Sequence, residues 1–220
     1  MENRLESLAL QLRCPEGEAG IQLAHNMNMR NLTQMLHAFA HSNIQDNDNI
    51  LELGYGNGGL LSYVLSLADN VKYTGLEVSS TMHEQAISFN APYIGANMAQ
   101  YRLFDGTTLP FKDAEFDKIV TVNTIYFWQS PLELLKNICR VLKVNGNFCL
   151  TFADKSFMQD LPFIKYGFKL YDTEDIKSLM STIPQLKLID EAHKTDKVIS
   201  KAEALVERKF TTLIYQKVRV

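Results

Sequence analysis

Asn49-Ile50-Leu51-Glu52-Leu53-Gly54-Tyr55-Gly56-Asn57-Gly58-Gly59 is a short apolar run holding one acid and ending in four glycines within six residues. Leu60-Leu61-Ser62-Tyr63-Val64-Leu65 follows, with apolar positions at 60, 61, 64 and 65, the spacing of one helix face. Strand, Gly-rich turn and helix, in that order, form the first βα unit of a nucleotide-binding sheet. The reason lies in the backbone. Gly54 allows a tight turn, Gly56 lets the main chain approach a ligand, and the helix N-terminus offers unpaired N–H groups.

Downstream the alternation continues. Val71 to Glu77 reads as a second strand; Ser79, Ser80 and Thr81 are cap candidates, with Thr81-x-x-Glu84 fitting a capping box, for a helix whose face is Met82, Ala86 and Phe89. Met98 to Phe104 reads as a third strand ending in Asp105-Gly106. Phe116 to Asn123 is a fourth, apolar enough for a sheet buried on both faces. Ser130-Pro131-Leu132-Glu133 opens a helix with a cap, Pro at N1 and Glu at N3, and Phe148 to Phe152 is a fifth strand. The spacings predict a doubly wound parallel sheet. Thr173 starts a further helix, and Gln185 to Asp190 and Phe210 to Gln216 alternate as two last strands.

Upstream, Leu5, Leu8 and Leu12 mark an amphipathic helix closed by Pro15 and Gly17, and Leu32, Met35, Leu36 and Phe39 mark another. The Met- and Asn-rich stretch from Gly20 to Met29 lies between them. His37 and His41 share a helix face but have no third ligand at metal-site spacing, so no metal is expected. The chain's 220 residues, 46% hydrophobic and 21% charged, suit one α/β domain. A net charge of −3 gives no footprint for nucleic acid or an anionic membrane. Cys14, Cys139 and Cys149 form no CxxC pair and read as reduced. With no signal-peptide pattern and no membrane-length apolar run, the expectation is a soluble, cytoplasmic protein.

The glycine run can be spelled two ways. Gly54-x-Gly56-x-x-Gly59, with Glu77 23 residues after Gly54, satisfies the dinucleotide fingerprint. Glu52-x-Gly54-x-Gly56-x-Gly58 resembles motif I of the class I methyltransferases that use S-adenosylmethionine. A carboxylate inside a strand buried on both faces is costly unless a partner waits for it, which favours the second spelling. The order of signals from Ile50 to Phe152 resembles the small-molecule methyltransferases often called type 11.

That resemblance implies a Rossmann-like, seven-stranded, mostly parallel sheet of order 3-2-1-4-5-7-6, its last strand antiparallel. It also implies a helical N-terminal cap or lid (1–48), a cofactor-binding core (49–153) and a substrate loop with the antiparallel edge (154–220). The implied cofactor is S-adenosylmethionine, held by Glu52, Gly54, Tyr55, Gly56, Asn57, Gly58, Glu77, Val78, Asp105, Gly106 and Asn123. In the family the acid matched by Glu77 binds the ribose, that matched by Asp105 the adenine amino group, and that matched by Glu52 orients the methionine end. Asn123-x-x-Tyr126 also echoes the Asn-Pro-Pro-Tyr motif of amino-nitrogen methyltransferases, but both prolines are missing and that activity is not carried over.

The reaction implied is in-line methyl transfer to a small, partly apolar metabolite. Candidate substrate-lining residues are Met29, Tyr126, Trp128, Phe163 and Tyr166, and candidates for a general base are His25 and Tyr126. Two alternatives stay open: an NAD(P)-dependent oxidoreductase on the same glycine turn, and a non-catalytic protein that binds S-adenosylmethionine. No nucleic-acid or membrane partner is expected.

Overall fold

A computed structural model describes residues 2–199 and 205–219. Within them the chain forms a seven-stranded sheet of order β3-β2-β1-β4-β5-β7-β6. The strands are β1 (Asn49–Leu53), β2 (Lys72–Glu77), β3 (Ala99–Leu103), β4 (Phe116–Val122), β5 (Leu142–Ala153), β6 (Leu186–Ile199) and β7 (Leu205–Lys217). β1 to β5 pair in parallel, whereas β7 runs antiparallel to both β5 and β6. β1 is central, and its side chains divide between two cores. Leu51 and Leu53 join Ile119, Phe148 and Leu150 on one face, while Ile50 joins Val120, Cys149 and Ile214 on the other. Strands clothed on both faces must be largely apolar, as the central residues of β1, β4 and β5 are.

The helices are α1 (Glu2–Arg13), α2 (Gly17–His41), α3 (Leu61–Leu65), α4 (Ser80–Phe89), α5 (Ala91–Gly95), α6 (Pro131–Val141), α7 (Lys155–Met158) and α8 (Thr173–Met180). Residues of α2, α3 and α4 cover the Ile50 face, and those of α6 and α8 the Leu51 face. Helices on both faces of a parallel sheet are the doubly wound arrangement.

Several local expectations are corrected. The stretch from Gly20 to Met29 is not an irregular segment. It is the first half of α2, a single helix of 25 residues. Gly20 lies where a Cβ would stand 2.6 Å from the Pro15 carbonyl carbon, so its small size lets the chain fold back on itself. The cap of α4 is Ser79, whose Oγ accepts from Met82 N at 3.0 Å. Thr81 instead accepts from Gly17 N (3.0 Å) and donates to Glu16 Oε2 (2.9 Å), tying the start of α2 to the start of α4. Ser130 precedes α6 without a side-chain cap bond. The box at α8 is Asp172 with Asp175, each side chain accepting from the other's backbone N–H. β6 and β7 both run beyond the lengths that alternation predicts. Their distal halves form a two-stranded arm fixed to α2 by Arg208, which donates to Asn31 Oδ1 and to the Arg30 carbonyl, each at 2.8 Å.

Candidate functional site

The parallel strands end together at the glycine turn, where open α/β sheets leave their crevice. Gly54 takes φ +76°, and a Cβ there would collide with the Thr124 side chain, so the turn can pass β4 only as glycine. Gly56 takes φ +59° with nothing within 4 Å of its missing Cβ, which leaves open space on that side. The Gly56 N–H donates to Glu77 Oε2 at 2.9 Å, and Val78 N and Ser79 N donate to Glu77 Oε1 at 2.8 and 3.2 Å. Burial raises the Glu77 carboxyl pKa against the pull of these three donors. Glu77 is therefore buried and structural as well as available, not placed at a solvent-open strand end.

Glu52 is only 5% exposed and faces Gly75 and Val120 across the sheet. The Tyr73 hydroxyl donates to its Oε2 at 2.5 Å, so the buried acid has its partner. Burial pushes Glu52 up to about 7, the Tyr73 bond opposes the rise, and the charge of Glu77 adds to it. Asp105 stands differently. It is exposed, and its Oδ1 accepts from Thr107 N (2.8 Å) and Thr108 N (2.6 Å), bonds that hold its carboxyl below the ordinary range. The Thr108 side chain adds a further hydrogen bond to the same carboxylate.

Two chambers open here. The first, of about 510 Å³, is lined by Glu52, Gly54, Tyr55, Gly56, Glu77, Val78, Asp105, Gly106, Asn123 and Trp128 from the expected set. Asn57 and Gly58 do not line it. Asn57 Oδ1 accepts from Asn28 Nδ2 (2.7 Å) and Gly59 N (3.2 Å). Gly58 has no side chain because Asn90, Ala86 and Tyr101 crowd it, with Asn90 Nδ2 2.8 Å from where a Cβ would be. Tyr55 lines the chamber with its hydroxyl 2.8 Å from His83 Nδ1. Arg13, Pro15, Asn28 and Asn31, which carry no motif in the sequence, close the chamber from the N-terminal side.

The second chamber, of about 910 Å³, is lined by Leu5, Leu8 and Leu12 of α1, Leu23 and Met27 of α2, and Phe157, Phe163 and Phe168 of the 154–172 stretch. The distal arm adds Val198, Val206 and Arg208. Arg208 is locked to Asp196, with Nε and Nη2 donating at 3.1 and 2.7 Å. Of the expected lining residues, Phe163 and Tyr126 are here, and Trp128 borders the first chamber only. Met29 is 76% exposed and borders neither, and Tyr166 lies outside both beside Lys165.

The two candidate bases are both displaced from that role. His25 is exposed on α2 and borders neither chamber. The Tyr126 hydroxyl accepts from Ala153 N at 2.6 Å and lies 3.0 Å from the Ala153 carbonyl; burial raises its pKa, so it stays protonated. Both chambers share Leu12, Met27, Asn31, Asn123 and Phe127 as a common wall. Asn123, at φ +58°, is held by Gln34 of α2, whose Oε1 accepts from its Nδ2 at 2.8 Å. Gln34 carried no signal in the sequence, because a lone Gln on a helix reads as surface.

His37 and His41 stack at 4.1 Å and spend their Nδ1 atoms on Thr212 and Asp190. Among the described residues, no group of three or more His, Cys, Asp or Glu side chains converges on one point. Among them, too, no helix is long and apolar enough to cross a membrane.

Residues 51–150 match a family model described as a methyltransferase domain. The uncharacterized methyltransferase YdaC of Bacillus subtilis is 29% identical over 157 residues, covering 67% of this chain and 83% of YdaC. A fatty-acid O-methyltransferase of Mycolicibacterium smegmatis is 27% identical over 144 residues, 65% of this chain but 50% of that protein. Among solved structures, a putative methyltransferase of Haloferax volcanii, in complex with the Trm112 methyltransferase activator, superposes with a TM-score of 0.72 at 16% identity. It covers 90% of this chain and 93% of that one, a likeness of fold.

Proposed function

We infer that the chain is a class I S-adenosylmethionine-dependent methyltransferase, as its match to a methyltransferase-domain model supports, and that it transfers the methyl of S-adenosylmethionine directly to a small, partly apolar metabolite. The observation that carries this reading is the pair of chambers sharing one wall, the first holding the carboxylates of Glu52, Glu77 and Asp105 at the strand ends and the second lined mostly by apolar side chains. The residues present fit the cofactor. The exposed carboxylate of Asp105, on the wall of the first chamber, suits the adenine amino group, and the open space at Gly56 leaves room for close main-chain approach. Glu77 is placed to accept from ribose hydroxyls with the lone pairs its three N–H bonds leave, and Glu52 faces the methionine end. Trp128, held by its Nε1–H donating to Thr124 Oγ1 at 3.0 Å, offers an aromatic surface to a sulfonium.

When bound, the cofactor supplies an electrophilic methyl on a sulfur that is already an excellent leaving group. The protein's part is to orient and to exclude water, and orientation can supply roughly 7–11 kcal/mol. We assign residues 1–48 to a cap over both chambers, 49–153 to the cofactor-binding core and 154–220 to the acceptor side and sheet edge. An apolar acceptor also accords with the fatty-acid O-methyltransferase among the relatives. Native mass spectrometry of the purified protein tests the reading. A copurifying S-adenosyl compound supports it, and a nicotinamide dinucleotide in its place refutes it.

A further inference from the structure

We propose that the acceptor is an amphiphilic carboxylate, its apolar chain in the second chamber and its head ionised before it arrives and bound by Arg30 and Asn31. The proposal rests on the first chamber being the S-adenosylmethionine seat. Its first support is the common wall. Leu12, Met27, Asn31, Asn123 and Phe127 include no group that titrates near neutrality. Tyr126 is engaged by Ala153, Glu52 opens only onto the first chamber, and Asp160 and Glu207 are exposed and border only the second. With no base on the wall between the chambers, an alcohol would reach the methyl still protonated. A carboxylate, with an ordinary pKa near about 4, needs no base at pH 7. One carboxylate oxygen forms the bond to the methyl carbon, the carbon–sulfur bond breaks, its electron pair stays on sulfur, and no proton moves.

The second support is a set of donors without an acceptor. Arg30 is half-buried on the wall of the second chamber, and among the described residues its guanidinium has no hydrogen bond or ion pair. The other unpaired charges on that wall, Lys209, Asp160 and Glu207, are exposed. Asn31 gives its Oδ1 to Arg208, leaving its Nδ2–H₂ unpartnered on a residue that borders both chambers. Arg208 cannot itself take the ligand, because Asp196 already holds it. Adjacent cationic and amide donors facing one cavity suit an anion. The third support is size. About 910 Å³ of mostly apolar space exceeds what a carboxylate needs and lies within the usual range for a whole small ligand.

Calorimetry on protein loaded with S-adenosylhomocysteine separates these claims. Straight-chain carboxylates should bind about fourfold tighter for each added methylene until the chamber is full. The primary alcohols of equal length should bind at least roughly tenfold more weakly. Arg30→Gln should weaken carboxylate binding roughly ten- to a hundredfold, leave alcohols and S-adenosylhomocysteine unaffected, and be partly restored in Arg30→Lys. With S-adenosylmethionine present, the product should be the methyl ester, formed at a rate that stays flat from neutral to mildly alkaline pH. Equal binding of alcohols and carboxylates, or an Arg30→Gln protein that binds carboxylates as before, would overturn the proposal while leaving the methyltransferase reading intact. Failure to bind S-adenosylhomocysteine at all would refute that reading first.

Discussion

At the scale of single residues, the site turns on two buried acids that do different work. Glu77 holds the N–H groups of Gly56, Val78 and Ser79, so Glu77→Ala leaves three donors without their acceptor. We expect it to lower unfolding stability by roughly 2–4 kcal/mol and to weaken cofactor binding as well, since an unsatisfied donor costs about 1–3 kcal/mol. Denaturant melts and calorimetry on the same variant check both; a loss of affinity with unchanged stability would contradict the structural half. Glu52 sets a pH dependence. Its folded carboxyl titrates near about 7, against an ordinary value of 4.5, so between these values the unfolded chain has released a proton that the folded chain keeps. The stability contributed by that proton is complete below the ordinary value and is lost as pH rises through the folded one, by about 3 kcal/mol at most. Denaturant midpoints at pH 5 and pH 8 should therefore differ in the wild type and converge in Glu52→Gln. Glu52 was legible in the sequence because a carboxylate within an apolar strand is costly to bury without a partner or a ligand, and Glu77 because it ends the next strand 23 residues after Gly54. That Gly58 lies off the chamber wall was not legible, because a sequence does not show what presses on a glycine, and here it is Asn90, Ala86 and Tyr101.

At the scale of elements, the N-terminal helices differ in what they bear. α2 buries Gly20, Ala24, Gln34, Ala38 and Phe39 and packs on the sheet, so a deletion through residue 30 would cut through it and destabilise the fold. α1 buries only Ala9, yet its leucines border both chambers. Deleting residues 2–13 should leave the sheet folded, weaken S-adenosylhomocysteine binding in part and abolish turnover. Hydrogen exchange should show amides of α1 gaining protection when that ligand binds, as expected of a lid. Amides of α1 already as protected as those of β1, and unchanged by ligand, would mark it as ordinary packing. β1 to β4 were read within a few residues, since a continuous apolar run has one home in such a sheet, whereas β5 begins at Leu142, six residues before the apolar run at Phe148. The long arms of β6 and β7 were not. Their outer halves turn Asp196, Val198, Val206 and Arg208 inward and charged residues such as Lys197, Glu207 and Lys209 outward, and because the inward face itself holds an ion pair there is no apolar alternation to read.

At the scale of the whole molecule, the strand order 3-2-1-4-5-7-6 follows the resemblance carried by residues 50–152, and the structure has it. The second chamber was not legible. It is assembled from α1, the first half of α2, the 154–172 stretch and the arm of β7, which lie far apart in the chain and carry no shared motif. The chamber at the strand ends is the part on which every functional statement depends, and its ligand can be chosen by thermal melting. S-adenosylhomocysteine at about one hundred times its dissociation constant should stabilise the fold by roughly 2.7 kcal/mol, with NAD at the same concentration doing far less. A melting temperature raised by NAD and unmoved by S-adenosylhomocysteine would contradict the account.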